Sequence, residues 1–373
     1  MKHIYFLSIL ILNLGLQSAS YIDYVSPYHP IVGNSGMVVS QNELSSDIGI
    51  EILNKGGNAV DAAVAVGFSL ATTLPRAGNL GGGGFMLIYI KERDEAFFID
   101  YRSQSPLNTN LKDIFNKYNL PKDYSKVDFS IVKEGYKASA LPGTVAGLLD
   151  AHKNFGTLSL EEILEPVIKQ AREGIIVSYD LNKAIESTPQ LSKDKESKKI
   201  YFSDGMPIAV GTRMIRNDLA NTFEIIAKNG VDGFYKGEIK EKFLKAMKDN
   251  NGFLKDSDFS DYKVNNGSPI MTRYRGNLVL TAGPPSGGGM VLLTSLNILN
   301  NFNLKKNNSN STSTYHLMAE ALRRGHNNRS HHIGDPSFYN VPIDNLLSKK
   351  RTKEFLKGIN AKKATPSSQI KPM

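Results

Sequence analysis

The complete absence of cysteine limits the folds that are open to this chain. None of its 373 residues is Cys, so disulfides, thiolate metal sites and cysteine nucleophiles are excluded. Hydrophobic residues make up 40% of the sequence, a content near the average of globular proteins. A chain of this length can bury enough apolar surface to fold without covalent cross-links. The sequence therefore predicts a structure that hydrophobic packing alone holds together.

The first 20 residues have the pattern of a secretory signal peptide. Lys2 precedes an apolar run over residues 4–16, and Ser18-Ala19-Ser20 offers small residues for cleavage. The run is shorter than the roughly 20 residues that a membrane helix needs. We predict that residues 1–20 are a signal peptide, that the protein is periplasmic or secreted, and that residues 21–373 form one folded region. No membrane contact is expected beyond the signal peptide.

The charge pattern gives no sign of a nucleic-acid partner. The formal net charge is +9, and the excess comes largely from scattered lysines. A basic stripe with interleaved aromatic residues, which is typical of nucleic-acid-binding surfaces, is not evident.

Apolar periodicity predicts both helices and strands. Helices are expected over residues 42–55, 59–74, 161–173, 290–299 and 315–324. Two apolar runs, 85–90 and 96–101, flank a charged turn and predict a β-hairpin. The polar residues 360–373 are expected to form a disordered tail. This mixture predicts an α+β or layered α/β fold.

Two glycine-rich segments, 78–84 and 283–289, could serve either packing or binding. Glycine allows close approach of another group, and successive N–H groups can bind an anion. Neither segment has the spacing or the lysine of a phosphate-binding loop. We therefore favour tight turns between packed elements.

Arg102 is the leading candidate for a binding residue. It follows the apolar segment 97–101, which places it at the end of a predicted strand. Its planar guanidinium suits bidentate binding of a carboxylate. A surface arginine, or an ion pair with Asp100, is the alternative interpretation.

Two groups of polar residues have spacings that metal ligands also use. His316 and Glu320 lie four residues apart on a predicted helix, and His331-His332 precede Asp335 in a predicted loop. No third ligand is placed beside the helical pair by any pattern. Structural roles are favoured, and neither a metal nor a cofactor is expected.

Nine segments together resemble the γ-glutamyltranspeptidase (glutathione hydrolase) family, and they occur in the order of that family. They are residues 56–65, 78–85, 100–102, 141–147, 234–237, 284–288, 316–321, 334–336 and 365–369. The resemblance covers the chain from about residue 35 to its end.

The resemblance implies a fold and a reaction. Members are N-terminal-nucleophile hydrolases with a four-layer αββα sandwich, and their exported precursors cut themselves into a large and a small subunit. The N-terminal threonine of the small subunit attacks the γ-glutamyl amide of glutathione and passes the glutamyl group to water or an amino acid. This chain corresponds to the large-subunit part. The resemblance thus implies a small-subunit portion, glutathione or another γ-glutamyl compound, and amino-acid acceptors as partners.

Arg102 matches the arginine that binds the substrate α-carboxylate in this family. The family's nucleophilic threonine is expected beyond Met373, so no catalytic residue is assigned within this chain. The sequence departs from the family at Ser103, where glutamate is frequent, at Asn328, where aspartate is usual, and at Gly325-His326, which replace a small or aromatic pair. Glycine weakens a helix by about 1 kcal/mol relative to alanine.

Three hypotheses follow for function. The chain is the large-subunit portion of a γ-glutamyl hydrolase or transferase that works with a small-subunit portion. Alternatively it is a truncated inactive remnant, or an exported protein that binds γ-glutamyl compounds or amino acids.

Overall fold

The computed structural model describes residues 31–107, 133–304 and 310–372. The chain divides into two units, Met1–Met37 and Val38–Met373. Of the first unit, residues 31–37 are described, and they contain neither helix nor strand. The predicted signal peptide, residues 1–20, lies outside the described residues. The elements below all belong to the second unit.

Two predicted helices begin the second unit, α1 (Glu43–Asn54) and α2 (Ala59–Thr73). Asn42 caps α1 by accepting the N–H of Leu44. Asn58 and Asp61 form a reciprocal capping box at the start of α2, which satisfies N–H groups that a helix terminus leaves free. The Ala- and Val-rich α2 is largely buried. Both helices confirm the prediction.

The predicted hairpin is formed by β1 (Gly84–Ile90) and β2 (Glu95–Tyr101), which pair antiparallel with Met86 opposite Ile99. The charged turn between them ends at Asp94, whose φ is 49°. Alternate side chains of a strand point to opposite faces of the sheet. One face of the hairpin joins the core, whereas the other exposes 45% of Leu87 and 56% of Tyr89.

Helices α3 (Thr144–Phe155) and α4 (Leu160–Glu173) follow. The predicted helix over residues 161–173 is confirmed. Ser159 and Glu162 form a capping box at its start, and it continues through Pro166.

The middle of the chain is mainly helical, with short strands between the helices. The helices are α5 (Tyr179–Glu186), α6 (Lys195–Tyr201), α7 (Asn217–Asn229), α8 (Val231–Tyr235), α9 (Gly237–Asp249) and α10 (Asp256–Asp261). The strands are β3 (Ile175–Ile176), β4 (Phe202–Ser203), β5 (Met206–Pro207) and β6 (Arg213–Met214), paired β3 with β6 and β4 with β5.

Three further strands complete the described sheets. β7 (Asn265–Gly267) pairs with β2 and gives a three-stranded sheet in the order β1-β2-β7. β8 (Ile270–Tyr274) and β9 (Asn277–Thr281) form a second hairpin, which turns at Arg275 and Gly276 with positive φ.

The last part of the chain contains α11 (Gly287–Leu299), α12 (Thr312–His332), α13 (Ile343–Leu346) and α14 (Lys349–Lys357). Helix α11 covers one face of the β8–β9 hairpin, where Thr272 donates to Asn297 over 2.5 Å. The opposite face exposes 52% of Met271 and 49% of Leu278. Helix α12 contains the predicted helix over residues 315–324 but is 21 residues long.

The predicted disordered tail is ordered over residues 360–372, so that prediction is wrong. Asn360 and Lys363 form a β-bridge, and Ser367–Gln369 is a turn of 3₁₀ helix. Ile370 is buried beside Ile298 and Phe355. One apolar side chain and a set of polar contacts thus fix a segment whose composition alone indicates disorder.

The largest core cluster joins α1, α2, the β1–β2 hairpin, α3, α4 and α7. Phe68 and Phe223 lie at its centre with rings edge to face, 6.0 Å apart. The mixture of helices and antiparallel sheets confirms the predicted α+β class. Among the residues that the structure describes, no helix combines the length and hydrophobicity that a membrane crossing needs.

Candidate functional site

Arg102 lies immediately after β2, at the strand end where the sequence predicts it. Two residues later the chain pairs with a distant loop, because Gln104 donates to Leu141 O over 3.1 Å and Leu141 donates to Gln104 O over 2.8 Å. The side chain of Arg102 is exposed, and its Cζ lies 5.7 Å from the centre of the Phe85 ring. A strand of the main sheet therefore presents a guanidinium to the surface.

The main chain of Arg102 is held on both sides. Its N–H donates to Asp100 Oδ1 over 3.0 Å, and its carbonyl accepts from the Tyr262 hydroxyl over 3.2 Å. The alternative of an ion pair with Asp100 thus gives way to a main-chain hydrogen bond. The guanidinium can then turn toward a ligand without losing the contact that fixes its backbone.

Asp100 is 8% exposed. Burial raises its pKa, and the repulsion of Asp335 adds to that effect, while the N–H and the positive charge of Arg102 oppose it. The ionised form of Asp100 is therefore stabilised by Arg102.

The first glycine-rich segment packs against the backbone of residues 101–103. A Cβ on Gly83 would lie 2.6 Å from Tyr101 O and 2.7 Å from Arg102 C. Gly82 O accepts the N–H of Gly143 over 2.7 Å and that of Thr144 over 3.1 Å. Distances of this kind leave no room for a side chain. The interpretation of this segment as close packing is confirmed.

Tyr262, whose hydroxyl donates to the Arg102 carbonyl, is one of a pair of stacked aromatic rings. The rings of Tyr235 and Tyr262 are stacked, with centroids 5.6 Å apart and planes inclined by 6°. Tyr235 is buried, and its hydroxyl donates to Pro142 O over 2.7 Å. Tyr235 belongs to segment 234–237, which carries part of the family resemblance, but no local pattern relates positions 235 and 262 to position 102.

The second glycine-rich segment also serves packing. Helix α11 begins at Gly287, where a Cβ would lie 2.6 Å from Arg329 Nε. At Gly289 a Cβ would overlap the carbonyl of Ala282. The segment thus lets α11 start directly against β9 and α12.

Glu320 belongs to a buried ion-pair network rather than to a metal site. Its Oε2 accepts from Arg324 Nη1 and from Thr365 Oγ1, each over 2.6 Å. Its helical neighbour His316 faces the main chain instead, with Nε2 2.7 Å from Asn360 O.

The His331, His332 and Asp335 group is likewise engaged in the fold, but His331 and His332 end helix α12, so the predicted loop is wrong for these two residues. His331 Nδ1 lies 2.9 Å from Asn327 O, and Asp335 accepts the N–H of Ser337 over 2.9 Å. Burial lowers the pKa of His332, as do Arg351 and His331. Within residues 31–107, 133–304 and 310–372, no group of three or more His, Asp or Glu side chains is placed to hold a metal ion.

Two departures from the resembled family, Asn328 and Gly325, lie in packed surroundings, whereas Ser103 and His326 are exposed. Asn328 is buried and donates to Thr294 Oγ1, while it accepts from Arg351. At Gly325 a Cβ would lie 2.8 Å from Val291 O and 3.0 Å from Ser295 Oγ. The glycine therefore permits close contact between α12 and α11, which accounts for its place within a helix.

Comparisons with known proteins agree on one family. Residues 45–373 match the model of the family described as gamma-glutamyltranspeptidase. The chain is 39% identical to the glutathione hydrolase proenzyme of Escherichia coli (strain K12) over 347 residues, which are 92% of this chain and 59% of that protein. The chain thus spans less than two thirds of the length of this relative.

Two solved structures share the fold. The gamma-glutamyltranspeptidase of Helicobacter pylori superposes with a TM-score of 0.87 at 36% identity, over 92% of this chain and 97% of that one. The Pseudomonas nitroreducens protein, complexed with L-DON, gives a TM-score of 0.83 at 33% identity, over 91% and 99%. These likenesses confirm the predicted αββα fold of N-terminal-nucleophile hydrolases.

Proposed function

Because this chain belongs to the gamma-glutamyltranspeptidase family, we propose that it supplies the carboxylate-binding part of a site that cleaves γ-glutamyl amides. The observation that carries the proposal is the placement of Arg102. Its main chain is fixed at the end of β2, and its guanidinium is exposed. A planar guanidinium forms two parallel hydrogen bonds with a carboxylate.

The proposed reaction is an acyl transfer. Arg102 binds the α-carboxylate of the donor, glutathione or a related γ-glutamyl compound, and so directs its γ-carbonyl to a threonine hydroxyl. The threonine oxygen forms a bond to the carbon of the γ-carbonyl group, and its proton passes to the α-amine of the same residue. The C–N bond then breaks, and the leaving amine takes that proton. Water or the amine of an amino acid next attacks the carbonyl carbon of the ester, the C–O bond to the threonine breaks, and a proton from the attacking group returns to the threonine oxygen.

We assign the threonine to a small-subunit portion. That portion belongs to the part of the relatives' length that this sequence does not match. The E. coli relative is a proenzyme of which the chain spans 59%. Two exposed apolar sheet faces, one on each hairpin, support the proposal that such a portion packs against this chain. They carry Leu87 and Tyr89 on β1, and Met271 and Leu278 on β8 and β9. Exposed apolar faces of this kind are typical of surfaces that a partner covers.

We also propose that the protein acts outside the cytoplasm, in the periplasm or after secretion. The order of charge, apolar run and small residues over positions 1–20 supports this location.

The activity can be tested with a chromogenic γ-glutamyl anilide. The chain is assayed alone and after co-expression with the small-subunit portion of the H. pylori protein, with co-purification to verify assembly. We expect turnover from the assembled protein and none from the chain alone. Robust turnover by the chain alone that survives replacement of each threonine would contradict the assignment of the nucleophile.

The role of Arg102 is tested in the same assembly. Arg102→Ala removes both hydrogen bonds to the donor carboxylate, so we expect KM to rise by about 100-fold. Arg93→Ala is the matched control, because Arg93 is exposed at the opposite end of the same hairpin. An unchanged KM in Arg102→Ala would remove Arg102 from the site.

A further inference from the structure

We propose that Tyr262, stacked on Tyr235, is a positioning residue that holds Arg102 in the orientation that binds the donor carboxylate. The inference rests on the proposed function of Arg102. It extends the site to two residues that lie 133 and 160 positions further along the chain.

Tyr262 reaches Arg102 across a gap that only glycine permits. The hydroxyl of Tyr262 donates to Arg102 O over 3.2 Å. A Cβ on Gly143 would collide with this hydroxyl and with Tyr101 O. The hydrogen bond therefore requires Gly143, in the loop 141–143 that precedes α3, as well as the tyrosine.

Tyr235 forms hydrogen bonds with the same loop and with the start of α3. Its hydroxyl donates to Pro142 O over 2.7 Å and accepts the N–H of Ala146 over 3.4 Å. The two rings are nearly parallel and pack against each other. One ring therefore holds the loop and the other holds the Arg102 carbonyl, as parts of a single stack. Burial raises the pKa of both phenols, so each hydroxyl keeps its proton and remains a donor at neutral pH.

The stack and Asp100 hold different main-chain groups of Arg102. Asp100 accepts the N–H of Arg102, and Tyr262 donates to its carbonyl. With both main-chain groups fixed, less conformational freedom is lost when a carboxylate binds the guanidinium. The stack thus lowers the cost of binding a carboxylate at Arg102.

Tyr262→Phe removes the hydroxyl and keeps the ring, so the stack and the fold are retained. In the assembled protein, we expect KM for the γ-glutamyl anilide to rise about 3- to 10-fold, the cost of one hydrogen bond. We expect kcat to change by less than 2-fold, because uniform binding affects KM alone. In the chain itself, amide hydrogen exchange over residues 101–104 is expected to become faster.

Tyr315→Phe is the matched control. Tyr315 lies on α12, is 57% exposed, and donates its hydroxyl to Asn310 Oδ1 over 3.4 Å. We expect it to leave KM and the exchange of residues 101–104 unchanged.

The outcomes separate this inference from the proposed function. If Arg102→Ala raises KM and Tyr262→Phe leaves it unchanged, the positioning role is wrong while the binding role of Arg102 stands. Unchanged exchange over residues 101–104 in Tyr262→Phe also overturns the positioning role, whether or not the assembly is active. If neither variant changes KM, the binding role of Arg102 is itself refuted.

Discussion

Glu320 offers a test of what holds the last part of the chain in place. The side chains of Glu320 and Arg324 are 1% and 2% exposed, with 2.6 Å between Oε2 and Nη1. Glu320 Oε1 accepts from Arg323 Nη1 over 2.8 Å and from the N–H of Thr365 over 2.9 Å. The carboxylate thus joins α12 to the segment that follows α14. The informative perturbation is Glu320→Gln, which keeps the shape and removes the charge.

The variant leaves the guanidinium of Arg324 buried without a counter-ion. Breaking a buried ion pair on one side costs about 3–5 kcal/mol, because the remaining charge is uncompensated. With an m-value on the order of 3 kcal/mol/M in urea, the unfolding midpoint at pH 7 falls by about 1 M or more. The segment over residues 360–372 is expected to become accessible to protease in the same variant, since the amide keeps only one of the two oxygens that accept from Thr365.

The pKa of Glu320 predicts how the stability difference between the wild-type chain and Glu320→Gln changes with pH. Burial alone would raise the pKa of Glu320, but the hydrogen bonds from Thr365 and Arg324 outweigh it and hold the pKa below its ordinary value. The stabilisation is therefore fully present above the unfolded pKa, about 4.3 for glutamate. It is lost as the pH falls through the lower pKa of the folded state. The difference in stability between the wild-type chain and Glu320→Gln should accordingly narrow below about pH 4.3.

Urea unfolding of the 373-residue chain, followed by circular dichroism at pH 7 and below pH 4, provides the measurement. Glu238→Gln is the control, since Glu238 is 62% exposed and its partner Lys242, 2.5 Å away, is 75% exposed. An exposed pair of this kind contributes about 0–1 kcal/mol. The reasoning is refuted if Glu320→Gln matches this control, or if its deficit widens in acid.

Two further predictions concern packing and export. Gly325→Ala should destabilise the chain by about 1–3 kcal/mol through overpacking against Val291 O, although alanine favours helices by about 1 kcal/mol. Thermal unfolding beside Gly267→Ala, where a Cβ meets nothing within 4 Å, is the measurement, and a stabilised Gly325→Ala would show that α11 and α12 do not need the glycine. Expression in a bacterial host, followed by N-terminal sequencing of protein from the periplasm and medium, tests the signal peptide. We expect a terminus near residue 21, and protein that stays in the cytoplasm with Met1 intact would contradict export.

Local signals in the sequence predicted the parts of the fold that local physics decides. The capped helix α2 and the β1–β2 hairpin follow from apolar periodicity and turn residues. The strand end before Arg102 follows for the same reason. The sequence also indicated why Arg102 suits a carboxylate, because that argument needs only its chemistry and its place.

Contacts between distant residues were beyond the same reasoning. Thr365 and Glu320 are 45 positions apart, and Tyr262 and Arg102 are 160 positions apart. No periodicity relates such pairs, so the ordered tail and the tyrosine stack could not be predicted. Gly325 shows the same limit. Helix propensity alone predicts that glycine destabilises α12, and only its close contact with α11 explains why glycine is found there.

If a small-subunit portion covers the exposed faces of the two hairpins, as proposed above, the order of events in biosynthesis matters. A covering portion on the same polypeptide meets these faces at an effective concentration near the millimolar range. A separate chain would have to find them by diffusion, in competition with other copies of the same apolar surface. A precursor that folds as one chain and is cleaved afterwards therefore shortens the time in which Leu87, Tyr89, Met271 and Leu278 face water. Tethering before cleavage then acts as protection against aggregation, in addition to its role in creating a new N-terminus.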